Sequence, residues 1–399
     1  MTATYDLLSP AHFAAPYETF ALMRENDPLY WHELTGLWFV TRYEDVHAVA
    51  RDRRFSSNRI DSFMPPGTDD KRQAIRDHFT DWMVFTDPPE HTRLRKLFSR
   101  VFAPRSIAML EPFIHQIVDE TLDRVRGQDQ IDIIGDFGFP VPAQVIAHML
   151  GVPPDRVDDF RRWSRDILAV PERIGDPEEN VAITHQAIRS LEKFFGELIA
   201  QRRAEPTGDL LGLMVRASED GAVLSDREMV ASCALFLTAG HETTTNLIGN
   251  ATLALLRNPG ELARLRAQPD LAASAVEEFL RYDATVAGLP RTAKEDVQLS
   301  GGTVPAGATV MAVLPSANRD PATFTDPDRL DIGRGDMRHL GFGGGVHACI
   351  GAALARLETR IAMTALLATY PRMELAVSQP SPVVGWVIRG VTSLPVYVS

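Results

Sequence analysis

A chain of 399 residues that is 45% hydrophobic and 24% charged has ordinary globular composition, and a chain this long buries roughly three quarters of its unfolded surface. Disordered, collagen-like and coiled-coil classes are excluded. Lys and Arg number 41 against 53 Asp and Glu, a formal net charge of −12, which argues against nucleic-acid binding and makes any basic contact surface local. The two cysteines, Cys233 and Cys349, rule out a disulfide framework and fit a reducing compartment, so the expected location is cytoplasmic. Residues 1–10 lack the basic flank and apolar core of a signal peptide, and no run of 18 apolar residues follows, so no membrane contact is expected.

In chain order, residues 29–31 and 37–41 read as strands around a turn at Thr35-Gly36, and residues 44–50 are periodic like a helix. From residue 88 to 280 the pattern is almost wholly helical, interrupted at Gly127, Pro140, residues 151–154 and residues 206–208. Strand signals return at residues 297–299 and 308–313, across turns at Gly301-Gly302 and Pro305-Ala306-Gly307, and again at residues 373–377 and 394–398. The expected fold is mainly α with small β-sheets. No repeat or linker breaks the chain, so residues 1–399 are expected to form a single domain.

One helix is unusual. Ser225-Asp226-Arg227-Glu228 reads as a capping box and the next breaker is Asn258-Pro259, which predicts a helix about 48 Å long at 1.5 Å per residue. Its middle, Gly240, His241, Glu242, Thr243, Thr244 and Thr245, is a poor helix-forming run where a core helix should be apolar. Local rules fail most often at functional sites.

The sharpest signal is Phe342-Gly343-Gly344-Gly345-Val346-His347-Ala348-Cys349-Ile350-Gly351, followed by an apolar-periodic helix. A cysteine at a helix start meets free N–H groups and the positive end of the helix dipole, which favour a thiolate. The glycines would let backbone pack against a flat ligand. A single thiolate with no second cysteine or paired histidine for zinc suits an axial ligand of haem iron. An isolated cysteine is more often a small buried hydrophobe. Gly343, Gly345 and Ala348 also match a loose dinucleotide fingerprint, but the residues before them, 336–339, read as no buried strand and no acidic residue follows at ribose-contact spacing.

The loop resembles the signature of the cytochrome P-450 family, the haem-thiolate monooxygenases, at Phe342, Gly343, Gly345, His347, Cys349 and Gly351. Further family motifs follow the same order at residues 87–95, 239–244, 278–281, Arg291, residues 318–321 and residues 327–329. The resemblance implies a single mainly helical domain holding haem b, with Cys349 on the iron and Phe342, Gly343, Gly351, Ala239 and Gly240 against the cofactor. It implies that His91, Arg95, Arg291 and His347 supply donors to the haem propionates, for which Arg is the better fork. Ala239 to Thr244 resemble the oxygen-activating segment, in which Gly240 lets the helix open, Thr243 offers a hydroxyl and Glu242 feeds protons inward. For an anonymous helix these threonines would as readily bond to carbonyls one turn back. Glu278 and Arg281 share a helix face at i and i+3, and the resemblance makes them a buried structural pair.

By the same resemblance the substrate contacts are Phe63, Trp82, Met83, Leu235, Val286, Ala287 and Ile388. This apolar set points to a terpenoid, steroid, fatty-acid or polyketide molecule, hydroxylated or epoxidised by one oxygen atom from dioxygen. No reductase segment follows Cys349 in this sequence, so electrons are expected from a ferredoxin or flavodoxin and its NAD(P)H reductase, with the chain a monomer. A peroxide-driven enzyme or a haem sensor would keep the cysteine loop without needing Glu242 and Thr243. Arg93, Lys96, Arg100, Arg338, Arg356 and Arg360 are expected to form a basic docking face for an acidic ferredoxin.

Overall fold

The computed structural model describes residues 4–172, 175–219, 224–336 and 338–399. Residues 1–3 of the N-terminal segment, and Met337 of the stretch before the cysteine loop, lie outside the described residues. Helices dominate and the strands are short, as the sequence pattern predicts. The chain forms two compact units, one of Met1–Ser56, Ile107–Val141 and Thr243–Ser399, the other of Ser57–Ser106 and Pro142–Glu242.

The first unit carries all the described strands: β1 (Leu29–His32), β2 (Leu37–Val40), β3 (Phe55–Ser56), β4 (Gln130–Asp132), β5 (Gly288–Ala293), β6 (Val297–Leu299), β7 (Gly302–Val304), β8 (Thr309–Val313), β9 (Met373–Leu375) and β10 (Pro395–Val398). They form a sheet ordered β1-β2-β8-β5-β3, a second ordered β4-β10-β9, and the hairpin β6-β7. Side chains alternate across the larger sheet, as a period of two requires. Val40, Val310 and Ala312 join a core with Val46, Val49, Phe55 and Leu340, while Phe39, Met311 and Val313 join one with Tyr5, Leu7, Phe20 and Met23. Both faces are therefore buried.

Four strands escape the sequence pattern, among them β7, whose first residue Gly302 reads as part of a turn. β3 and β4 have two and three residues, too few for a periodicity to register. β5 contains Pro290, which argues against a central strand. Its neighbour β3 reaches only Thr292 and Ala293, so Pro290 has a paired strand on one side, at Met311 of β8, and its missing N–H is tolerated.

The helix Ala272–Tyr282 supplies the central polar knot of this unit. Arg281 donates through Nε and Nη2 to both carboxylate oxygens of Glu278, at 2.7 and 2.8 Å, and both side chains are only 1% exposed. The remaining donors go to the carbonyls of Asn318, Pro327 and Arg329. Glu278 also accepts from Arg334 Nε and the Asp331 N–H. The pair is buried and not a solvated surface pair. Asn318 continues it: its side-chain oxygen accepts the Leu340 N–H at 2.7 Å, two residues before Phe342.

The second unit is helical. Val157–Ile167 packs on Pro177–Ala204, with Phe160 edge-on to Phe194 at 5.2 Å. The helix Asp226–Arg257 begins with the predicted capping box: Ser225 Oγ accepts the Glu228 N–H, and the Glu228 carboxylate accepts from Ser225 N–H and Oγ. The helix has 32 residues, and the division between the units falls within it, after Glu242.

Glu278→Gln would leave the buried Arg281 guanidinium, and half-buried Arg334 beside it, without a carboxylate, and breaking such a buried pair costs about 3–5 kcal/mol. A clear fall in the thermal midpoint is expected, and an unchanged melt would refute the structural assignment.

Candidate active site

The cysteine loop is a closed turn ahead of a helix. Cys349 N–H bonds to the Phe342 carbonyl at 2.9 Å, Gly351 is the residue before helix Ala352–Thr369, and Cys349 is exposed. The thiol thus sits at the positive end of that helix. Cys233 is the opposite case: it is buried, and burial pushes its thiol well above the ordinary range. The reading of Cys349 as a small core residue does not survive its exposure.

Gly343 and Gly345 have φ of +68° and +64°, and a Cβ on Gly345 would lie 2.6 Å from the Ala50 carbonyl oxygen. Close approach of the loop to Ala50 and Arg51 requires glycine at 345.

A carboxylate missed by the sequence pattern, Glu277, braces this loop from both ends. It accepts from His339 Nε2 at 3.0 Å and from Arg356 Nη2 at 2.9 Å. His339 Nδ1 accepts the Gly341 N–H, and the Arg356 guanidinium lies 4.5 Å from the Phe342 ring centre, a cation–π contact. Burial opposes ionisation of Glu277, but its bonds to Arg356 and His339 outweigh this and hold the carboxyl down at about 2. The signal was its place beside Glu278 in the Glu-x-x-Arg helix.

The middle of the long helix is continuous, with no opening at Gly240. A Cβ there would lie 2.8 Å from Ile146 Cγ1, so the glycine admits helix Pro140–Met149 at close range. Thr238 and Thr252 bond back to the carbonyls of Ala234 and Ile248, whereas His241 Nδ1 meets the Leu237 carbonyl. Burial raises Glu242 to about 7 and drives buried His241 down to about 4. Glu172, in the second unit, is raised to about 8 by burial and then by the charge of Glu242. In the first unit Glu358 occupies the apolar face of the helix after the cysteine loop, fully buried, and burial drives its carboxyl well above the ordinary range although Thr244 alongside offsets this in part. A carboxylate on an apolar stripe was a readable signal for Glu358, but nothing in the pattern marked Glu172.

The other predicted residues fall in both units. In the first, Val286 and Ile388 form an isolated bridge and Ala287 N–H bonds to the Val387 carbonyl, so two predicted substrate segments meet. Arg291, on β5, is buried and donates to the Pro290 carbonyl, and His347 lies in the turn Gly345–His347. In the second, His91 is buried and Arg95 half-buried one turn later on helix Glu90–Phe98, with Ala239 and buried Leu235 on the long helix. Phe63, Trp82 and Met83 are buried too. Phe63 and Trp82 pack edge-on to Phe79, at 5.6 and 5.0 Å, making an aromatic core.

The expected basic face is weaker than the sequence implies. Arg93 pairs with Glu90 and Glu228, Arg338 with Asp336, Arg356 with Glu277 and Arg360 with Glu111. An acidic chain supplies such partners within reach. Lys96 and Arg100 are exposed and have no ion pair among the described residues.

The Glu277 brace has a definite pH signature. Its folded carboxyl is held below its ordinary value, so its contribution is present above about pH 4.5 and lost as pH falls towards 2. Glu277→Gln should melt earlier than the native chain at neutral pH, and the gap should close below pH 3. A gap independent of pH would remove the ionic account.

Three comparisons give the chain its relatives. The cytochrome P450 family model matches residues 16–387. Cytochrome P450 107B1 of Saccharopolyspora erythraea is 40% identical over 391 residues, 95% of this chain and 94% of the relative, and vitamin D(3) 25-hydroxylase of Pseudonocardia autotrophica is 39% identical over 99% of this chain and 96% of its own. The crystal structure of P450BioI, in complex with acyl carrier protein bearing hexadec-9Z-enoic acid, superposes with a TM-score of 0.91 at 33% identity, over 98% of this chain and 100% of the other. The chain belongs to the cytochrome P450 family, haem b monooxygenases with a mainly helical single-domain fold and small sheets.

Proposed function

We propose that residues 1–399 act as one cytoplasmic, monomeric haem domain that inserts an oxygen atom from dioxygen into an apolar small molecule, with Cys349 as the iron ligand. The observation that carries this reading is an exposed cysteine at a helix start, in a loop closed by its own N–H to the Phe342 carbonyl. The residues fit haem: one thiolate donor is available, and no cluster of three or more His, Cys, Asp or Glu able to hold a metal ion occurs among the described residues. Arg291, a buried guanidinium, is assigned to a propionate, for which its fork is suited. His91, Arg95 and His347 are assigned to the propionates on family resemblance.

When bound, haem supplies the activation of dioxygen and the transfer of one oxygen atom. The protein's part is to orient the substrate, limit water and deliver protons. Glu242, poised near 7 by burial, can hold or release a proton at neutral pH. The adjacent Thr243 hydroxyl passes it on. Val286, Ala287, Ile388, Leu235, Phe63, Trp82 and Met83 supply apolar contact, which suits a terpenoid, steroid, fatty-acid or polyketide skeleton. The relative named for hydroxylating vitamin D3 supports that class. A separate ferredoxin or flavodoxin with its NAD(P)H reductase would supply electrons. No described helix is long and apolar enough to cross a membrane.

Cys349→Ser should abolish the red-shifted band of the reduced carbon monoxide complex, and a retained band would refute the ligand assignment. Thr243→Ala should keep substrate affinity while diverting reduced cofactor into hydrogen peroxide, and Glu242→Gln should slow turnover by about tenfold or more. Product yield per NAD(P)H oxidised checks both, and unchanged coupling in Thr243→Ala would end its relay role.

A further inference from the structure

Glu172 ends the helical turn Ala169–Glu172, which packs against helices Val157–Ile167, Pro177–Ala204 and Ile60–Phe63. The turn is pinned: Glu172 N–H bonds to the Leu168 carbonyl at 2.9 Å, and Val170 N–H to Thr184 Oγ1 at 3.2 Å. Part of the Glu172 side chain reaches the surface, but its Oε2 is sealed from solvent and has no hydrogen-bond partner among the described residues. A second orphan, Ser164 Oγ, lies on the preceding helix.

Burying an acid without a donor is costly, and glutamate is here where leucine would pack more cheaply. The Glu242 charge adds to the burial, for it raises the Glu172 carboxyl further. Two buried acids that oppose each other's ionisation hold their protons at neutral pH, and a cation beside them would let the carboxylate form.

We propose that Glu172 is a specificity-determining residue that holds a cationic nitrogen on an otherwise apolar substrate. A hydroxyl would offer a donor but leave the repulsion with Glu242 untouched, and a carboxylate would add to it. A positive charge satisfies the orphaned oxygen and relieves the repulsion together, taking the place of the proton that burial otherwise imposes. Phe63, on the helix packed against this turn, is buried and apolar, as is Leu235 on the long helix. The assignment rests on the reading of the Glu242 segment as the substrate side of the long helix.

The test is calorimetric titration of the haem-loaded protein with dodecyltrimethylammonium, dodecanol and dodecanoate, below their micelle concentrations. A quaternary nitrogen cannot coordinate iron, so direct ligation cannot mimic the effect. The ammonium should bind at least about tenfold more tightly than dodecanol, with dodecanoate weakest. Glu172→Gln should erase the preference and leave dodecanol affinity within about twofold, while Glu172→Asp keeps part of it. Equal affinities in the native protein, or a preference that survives in Glu172→Gln, would overturn the proposal. If the Gln variant fails to fold, the native ranking and the Asp variant decide. Haem content and the carbon monoxide band, read separately, show whether a failure lies here or in the monooxygenase reading.

Discussion

The Glu278 carboxylate is the point on which the first unit depends. Its two oxygens accept from two guanidinium groups and a backbone N–H. Arg281 in turn reaches three backbone carbonyls. A buried pair compensates for its desolvation only when its remaining donors and acceptors are also used. That condition makes one side-chain pair organise loop segments far apart in the sequence. Lysine could not replace Arg281, because a point charge lacks the planar fork that serves both a carboxylate and carbonyls in fixed directions. Through Asn318 the network sets the backbone at Leu340, and Glu277 braces the same loop through His339 and Arg356.

A second theme is the buried acid. Glu172, Glu242 and Glu358 are all raised by burial, each in a helix where an apolar residue would fit a core better. Such a carboxyl can hold a proton at neutral pH, which an exposed one cannot. Stability is given up for that property, a pattern associated with functional sites. Glu277 is the contrasting case, kept ionised by the cations around it.

Surface charge followed local supply. The net charge of −12 places acids near most of the arginines expected to form a docking face, and Arg93, Arg338, Arg356 and Arg360 are all paired. The exposed pairs of Arg338 and Arg360 add little stability, but all four pairs reduce the net positive charge that a partner meets. Exposed Lys96 and Arg100 keep theirs.

Much of this protein was legible from residues near one another in the chain. The capping box, the hairpin strands and the helix start behind Cys349 depend on neighbours within a few positions, so spacing and residue type suffice to read them. The cysteine loop carried the expectation of haem because its glycines, histidine and cysteine together resemble the family signature. Tertiary structure decided the rest. Gly240 and Gly345 are glycine because of Ile146 and Ala50, contacts that no local pattern records. β5 holds a proline because β3 stops short of it. The acidity of Glu172, Glu242 and Glu277 was open in sequence for the same reason: a carboxyl's proton affinity is set by the solvent it loses and the charges that surround it, and both come from residues that only folding brings near.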